Sequence, residues 1–388
     1  MPIDRKATLQ LLEELIAIES VNPTLVPGAS GEQRAAEHVK EFLCTRGVST
    51  EVEAAAHDRS NVVAGICPAN NPRDAKPALM IVAHIDTVGA GDMPDPFTPC
   101  VRDGKMYGRG ALDIKSGVAA MCAAVVAVAE ERTRLARPFI ISAVVDEECD
   151  SIGTQALVRR GYTADCAIVL EPTNLQLVVA HKGYAWFEIV THGRAAHGSL
   201  PSEGRDAIRM MGRVLGALDG LEKQIASCPA HPRLGHASVH ASLIAGGQEL
   251  SSYPAECRLK LERRMLPGET EASAEAEFRA MLAQLEKQDS EFRATLGASL
   301  GSRPAYEIAA DSSLVQRTSA AIRKACGNCE LAGMAAWTDT ALLSAAGIPG
   351  MVFGPAGRGL HGAEEYVEIE SVYKCAEALR ELILEFCT

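Results

Sequence analysis

Apolar residues recur at helical spacing over residues 4–18 and again over 31–46, which predicts two amphipathic helices before any strand. Residues 61–66, 78–83, 139–145 and 167–170 are instead short apolar runs bounded by turn residues or helical stretches, as strands buried on both faces of an α/β sheet are. The longest apolar stretch, residues 117–129, is rich in alanine and too short to cross a bilayer, so it reads as a tightly packed core helix. From residue 182 the character changes. Residues 184–191 alternate, 205–221 are amphipathic and helical, 238–245 and 255–263 are strand-like, 271–287 are helical, and 292–296 form a short strand. Strand, helix, strand, strand, helix, strand is the order of a ferredoxin-like unit, which predicts an inserted α+β domain. Beyond it, residues 312–324 and 339–346 read as helices, and 350–353 as a strand returning to the first sheet. Loops rich in Gly or Pro fall at 70–77 and 354–362, and no internal repeat is visible.

A length of 388 residues favours two domains, divided as 1–181 and 301–388 for the first and 182–300 for the insert. A composition of 47% hydrophobic and 23% charged residues is that of a packed globular protein. The net charge of −12, with no long block of either sign, argues against nucleic acid as a partner, and no membrane span is expected. The start, Met1-Pro-Ile-Asp-Arg5, does not lead into an apolar run with a cleavage site, so no signal peptide is expected. Twelve scattered cysteines, several in apolar patterns, suit reduced thiols in the cytoplasm. Cys326 and Cys329 form a lone CxxC without a second half, which does not make a structural zinc site.

Candidate chemistry gathers where the strands end. His84 and Asp86 follow the run 78–83, and in extended chain they point the same way, so the carboxylate can orient the imidazole. Asp113 lies in the polar, Gly-rich stretch 108–117 that opens onto the Ala-rich helix, where a metal ligand and a helix cap are both reasonable readings. Asp146-Glu147-Glu148 ends a hydrophobic strand, and three adjacent carboxylates repel unless a cation or bulk water relieves them. In such a pair one glutamate can bind metal while its neighbour moves a proton. Glu171-Pro-Thr ends the run 167–170, and His361 sits in a glycine-rich loop followed by Glu364 and Glu365. His38, His57, His192, His231, His236 and His240 match no motif and read as solvent-facing or satisfied side chains.

In order and spacing these motifs resemble the M20 metallopeptidase family, the group of acetylornithine deacetylase, succinyl-diaminopimelate desuccinylase and aminoacylase. The resemblance rests on His84-Ile-Asp-Thr-Val, Gly108-Arg-Gly-Ala-Leu-Asp-Ile-Lys-Ser-Gly, Asp146-Glu-Glu, Glu171-Pro-Thr, His181-Lys-Gly, Gly193-Arg-Ala-Ala-His197, Arg264-Met-Leu-Pro-Gly and the loop of His361. It implies an α/β catalytic domain with a mixed central sheet flanked by helices, and an inserted ferredoxin-like α+β lid and dimerisation domain. It further implies two divalent metal ions, zinc by default with cobalt or manganese admitted by the same ligands. Asp113 would bridge them, with His84 and Glu171 completing one site and Glu148 and His361 the other. Asp86 would hold His84, and Glu147 would be the general base for a metal-bridging water. His197, often supplied by the partner subunit, would stabilise the oxyanion, and Arg264 would grip a substrate carboxylate; a surface histidine and a structural ion pair are the plain alternatives. Trp337-Thr-Asp339-Thr340 is loosely similar to a polar stretch near the family's substrate pocket, although a helix cap explains Asp339 as well. The implied activity is deacylation of an N-acyl amino acid by a cytoplasmic homodimer. Desuccinylase and di- or tripeptidase activities are alternatives, a non-catalytic metal-binding or regulatory relative is a further one, and a structural protein a third.

Overall fold

The computed structural model describes residues 2–68, 75–130 and 135–388; residues 70–74 of the 70–77 loop lie outside them. The chain divides into two compact units, one of residues 1–179, 308–332 and 338–388, the other of residues 180–307 and 333–337.

The first unit is built on a mixed sheet. Its spatial order is Thr50–Ala56, Arg59–Ile66, Phe139–Val144, Leu79–His84, Cys166–Leu170, Gly350–Phe353 and Leu177–His181, the last two residues of which belong to the second unit. Four neighbours in the middle run parallel: Leu79–His84 pairs with Phe139–Val144 on one side and Cys166–Leu170 on the other, and Gly350–Phe353 pairs with Cys166–Leu170. The outer pairings are antiparallel. Side chains alternate across the central strand. Leu79, Ile81 and Ala83 face a core shared with the helices Arg5–Ala17, Gln33–Cys44, Ser116–Ala129 and Ile369–Cys387, whereas Met80 and Val82 face a smaller core with Leu157, Leu343 and Ile348. Burial on both faces explains why these strands read as continuous apolar runs.

Ser116–Ala129 carries Gly117, Ala119, Ala120, Ala123, Ala124 and Ala127 on a helix buried nearly all round, and small side chains let neighbouring elements approach closely. With the turn before it, residues Ala111–Ala129 are long and apolar enough to cross a membrane by length alone, and 89% of that stretch is buried inside the protein.

In the second unit, Gly183–His192, Ala207–Ser227, Ser238–Gly246, Glu256–Met265, Glu271–Gln288 and Ala294–Leu296 follow in the expected order. The antiparallel sheet has the spatial order second, third, first, fourth, which is the ferredoxin-like arrangement, with Gly301–Arg303 added beside the first strand. Its helices start on side-chain caps: Asp206 accepts from the Arg209 N–H at 3.0 Å, and Thr270 and Ser273 cap each other reciprocally. The fold class read from the sequence is therefore the one observed.

Several elements escaped the sequence reading. The helix Ile369–Cys387 is the largest, although Val372, Cys375, Ala376, Leu379, Leu382, Ile383 and Phe386 are buried at helical spacing. Thr50–Ala56, Ile152–Arg159 and Leu177–His181 escaped it too. Four short strands also form a second sheet in this unit, in the order Gly357–Arg358, Tyr366–Glu368, Lys105–Tyr107 and Cys100–Arg102. That sheet joins the loop of His361 to the segment leading into Asp113.

Candidate metal centre

Parallel strands deliver their C-terminal ends to one edge of a sheet, which is where α/β proteins place ligands. His84 is the last residue of its strand and pairs with Val144; Asp146-Glu147-Glu148 follows one residue later, and Glu171 directly follows the neighbouring strand. Phe353 pairs with Leu170, so the loop carrying His361 leaves from the same edge.

The five residues converge. His84 Nε2 lies 3.1 Å from Asp113 Oδ1 and 3.9 Å from Glu171 Oε2, while His361 Nε2 lies 3.3 Å from Asp113 Oδ2 and 3.2 Å from Glu148 Oε2. One carboxylate thus faces an imidazole with each oxygen. Candidate ligand atoms of His84, Asp113 and Glu148 fall within 4.8 Å of one another, and so do those of His84, Glu147 and Glu171. Asp113 does not cap the Ala-rich helix: it sits in the irregular turn Ala111–Lys115 with an extended backbone, and that helix has no side-chain cap.

The donor set fits divalent cations. Burial and facing carboxylates push Glu147 and Glu171 well above the usual carboxylate range, and Glu148 is raised by burial and Asp113. His84 is driven towards its charged form: burial opposes protonation, but Asp113 and Asp86 outweigh it. Glu148 Oε1 and Glu171 Oε1 are buried without a hydrogen-bond partner among the described residues. Carboxylates forced towards protonation, imidazoles forced towards charge and orphaned oxygens are what a bound cation relieves.

Behind the cluster lies a connected polar layer. Asp86 is fully buried; its Oδ1 accepts the Glu147 N–H at 3.1 Å, and its Oδ2 accepts the Glu148 N–H at 3.2 Å and Asn22 Nδ2 at 2.8 Å. His84 Nδ1 is 3.0 Å from the Asp86 carbonyl and 3.5 Å from its carboxylate. Asn22 also donates to Asp146 at 3.0 Å, and Asp146 accepts Arg59 Nη1 at 2.6 Å. Arg59 completes a two-pronged pair with Glu32. Asp146 has φ 69° and His361 φ 58°, so the glutamate turn and the histidine loop each hold a non-glycine residue in the left-handed region.

Three positions here were not assigned from sequence. Glu365 is buried and receives the N–H groups of Gly110, Leu112 and Asp113 at 3.2, 2.8 and 3.1 Å, together with Arg109 Nη1 at 2.7 Å. It ties the Asp113 turn to the His361 loop, whose tip needs glycine at 359, where φ is 93° and a Cβ would strike the Glu364 carbonyl. Asn22 and Arg59 lie far from the motifs in sequence, and nothing local marked them. Asp339 heads the helix Thr340–Ala345 without capping it; its Oδ2 accepts Thr154 Oγ1 at 2.5 Å, and burial raises its pKa to about 6.

His197 and Arg264 belong to the second unit and are not among the residues the first unit brings together. His197 is exposed, and its Nδ1 accepts the Ser199 N–H at 3.2 Å, which leaves the ring proton on Nε2. Arg264 Nε donates to Glu262 at 2.5 Å, and its guanidinium lies over the Tyr184 ring. Arg263 is the structural one of the pair, buried and bound by Glu269 and Glu277.

This assembly coincides with a family match: residues 80–385 match peptidase family M20/M25/M40. The chain belongs to that family. It is similar over 390 residues, at 27% identity and 98% of both chains, to the acetylornithine deacetylase of Pasteurella multocida. It is 26% identical over 339 residues, 80% of each chain, to the N-formyl-4-amino-5-aminomethyl-2-methylpyrimidine deformylase of Bacillus subtilis. The fold superposes on the aminopeptidase PepT of Bacillus cereus with a TM-score of 0.78 at 18% identity, over 99% of each chain. Membership makes this M20 protein a hydrolase of amide bonds, and its His, Asp and Glu cluster is a candidate metal-binding site.

Proposed function

We propose that this M20 protein is a deacylase that uses two divalent cations to release an acyl group from an N-acyl amino acid. The observation that carries the reading is the Asp113 carboxylate, one oxygen towards His84 and the other towards His361, with Glu171 and Glu148 at either side. Two cations held by His84, Asp113, Glu148, Glu171 and His361 would polarise the scissile carbonyl and acidify the attacking water. The mixed imidazole and carboxylate donors suit zinc, with cobalt or manganese as substitutes.

Glu147 takes the proton from that water and hands it to the departing amine. Burial and the facing Glu171 raise its pKa, which supports the role, since a more basic carboxylate takes up a proton more readily. Asp86 positions His84 and, through two main-chain N–H groups, the Glu147-Glu148 turn. His197 presents an Nε2 proton to solvent and is the donor for the developing oxyanion. Arg264 grips the substrate carboxylate; its two terminal nitrogens have no hydrogen-bond partner among the described residues.

The working form is a cytoplasmic homodimer. Twelve free thiols support the reducing compartment. Support for the dimer comes from Ser238–Gly246, an edge strand of the second unit that leaves Leu243 66% and Ile244 55% exposed, a surface suited to pairing with a second copy. Charged substitutions at both positions should leave a monomer in light scattering; an unchanged mass would place the dimer contact elsewhere.

The deciding experiment is a panel of N-acetyl, N-formyl and N-succinyl amino acids and dipeptides, with zinc, cobalt and manganese varied. Turnover confined to dipeptides would replace the deacylase reading with a peptidase, preference for the succinyl substrate would make it a desuccinylase, and no turnover with metal bound would make it a non-catalytic relative.

A further inference from the structure

In the first unit the strands Cys166–Leu170 and Gly350–Phe353 lie side by side, with Leu170 opposite Phe353. Two residues beyond that pair each chain meets a proline, Pro172 and Pro355, and neither can donate to a further ladder bond. Yet the chains do not part. Thr173 is buried, and its Oγ1 accepts the Gly354 N–H at 2.9 Å and donates to the Gly354 carbonyl at 3.3 Å. The Leu175 N–H reaches the same carbonyl at 2.9 Å, the Asn174 N–H donates to the Pro355 carbonyl at 3.2 Å, and Asn174 Oδ1 accepts the Gly357 N–H at 3.4 Å. The approach is so close that a Cβ at position 354 would strike the Glu171 carbonyl.

The backbone is strained to make these bonds. Asn174 has φ 54° and Leu175 φ 61°. Asparagine enters the left-handed region readily and leucine does not, so such a leucine persists only where its surroundings fix it. Leu175 packs against the main core of the first unit, which supplies that hold. A plain connection between two strands needs none of this. What sets the hook of residues 173–175 apart is its place: Glu171, which faces His84, comes two residues before Thr173, and His361, which faces Asp113 and Glu148, comes four residues after Gly357.

We infer that Thr173 and Asn174 are positioning residues that fix the two halves of the metal centre relative to each other. The inference rests on the dinuclear reading and deepens it. Asp113 joins the halves at the front, one oxygen towards His84 and the other towards His361. The hook joins them behind, through the chain.

Each side of the hook is stiff. The proline ring fixes φ at Pro172, so the hold on Thr173 passes to Glu171 with little slack. On the other side Gly357 is held by Asn174 and, through the pairing of Gly357–Arg358, by the strand Tyr366–Glu368, so the tip that carries His361 starts from a fixed point. Two cations that share one carboxylate need their outer ligands at a set separation. A hydroxyl that bonds both polar groups of one glycine sets it more rigidly than a single bond would, because it fixes direction as well as distance.

The test uses the full chain stripped of metal and titrated with cobalt(II) alone, followed by calorimetry and by the visible absorption of bound cobalt, which responds to the number and geometry of its ligands. Wild type should take up two equivalents. Thr173→Val, which keeps the shape and removes the hydroxyl, should bind the weaker equivalent at least about tenfold less tightly and with an altered band, and Thr173→Ser should restore both. Asn174→Gly changes an exposed side chain at a backbone angle glycine accepts, and should weaken the same equivalent in the same direction. A merely structural stitch would instead lower the metal-free melting midpoint of Thr173→Val and leave both cobalt equivalents as in wild type. That result, or failure of Thr173→Ser to restore binding, overturns the inference. If Thr173→Val does not fold, Asn174→Gly decides: weakened binding keeps the inference and an unchanged titration overturns it. Weakened cobalt binding in the variants, without turnover of any N-acyl amino acid by wild type, would fell the deacylase reading and keep the positioning role. Unaltered cobalt binding with full deacylase turnover would do the reverse, and fewer than two equivalents in wild type would remove the dinuclear reading and the inference together.

Discussion

Replacing Arg59 with Met tests whether the polar layer behind the glutamate turn is as strongly coupled as its geometry says. The guanidinium is nearly buried and serves two carboxylates that are more so: Glu32 is 0% and Asp146 1% exposed. Asp146 would keep its bonds from Asn22 and the backbone, but Glu32 would lose the guanidinium that holds it. Breaking a buried pair by removing one partner costs about 3–5 kcal/mol. Protonation caps that loss. Burial already pushes the Glu32 pKa up against the pull of Arg59, so the bared carboxyl escapes by taking a proton. From an ordinary pKa of 4.5 that costs about 3 kcal/mol at pH 7 and under about 1 kcal/mol at pH 5. Arg59→Met should therefore lose about 3 kcal/mol in urea denaturation at pH 7, with most of the loss recovered at pH 5 and part of it recovered in the double variant with Glu32→Gln. Asp146 links through Asn22 to Asp86, so metal affinity in competition with a chelator should also weaken, by about tenfold or more. A loss under about 1 kcal/mol at pH 7, or one of equal size at both pH values, would refute the reasoning.

Glu147→Gln should lower kcat by at least about a hundredfold with metal still bound by elemental analysis, and full activity in that variant would remove Glu147 from proton transfer. Zinc should stabilise the chain by about 3 kcal/mol at a hundredfold excess over its dissociation constant. The gain should be larger at pH 7 than at pH 5: raised carboxyls such as Glu147, Glu148 and Glu171 lose stability as pH rises through their folded pKa, and a cation relieves that loss. A calorimetric midpoint indifferent to metal at both pH values would contradict the site. Burial lowers the His181 pKa from 6.5 to about 4, so the unfolded chain binds a proton that the fold refuses, and stability falls as pH drops through that window. Wild type should lose about 3 kcal/mol more than His181→Gln between pH 6.5 and 4, and parallel pH profiles would show that His181 is hydrated.

What sequence could show depended on how local each signal was. Strands buried on both faces, such as Leu79–His84, announce themselves as apolar runs, and the residues at their ends inherit a place on one sheet edge once the strands are taken as parallel. His84, Glu147, Glu148 and Glu171 were legible for that reason. The helix Ile369–Cys387 carries just as clear a period, with Val372, Cys375, Ala376, Leu379, Leu382, Ile383 and Phe386 buried along one face. Glu365 is different: its role lies in three main-chain N–H groups some 250 residues away, and no spacing rule reaches that far. The same holds for Tyr184 and Trp337, which meet only when the chain comes back to the second unit over residues 333–337.

Glu365, Asn22 and Arg59 also answer a question the ligands raise. The three carboxylates among the five proposed ligands, with Glu147 beside them, should drive one another apart when brought to one edge before any cation arrives. The carboxylates that do not face the cation are what prevent this. Asp86 and Glu365 spend their charge on main-chain N–H groups of the very turns that carry Glu147, Glu148 and Asp113, so each ligand-bearing segment is anchored from behind. Asn22 then bridges Asp86 to Asp146, which Arg59 neutralises, and Arg109 neutralises Glu365. Repulsion among the front carboxylates is thereby held in place as affinity for a cation instead of relaxing into a wider, weaker cluster. On this account a variant such as Glu365→Ala loses metal before it loses its fold, because the small sheet through Tyr366 and Tyr107 still joins the two loops while Asp113 is free to swing away.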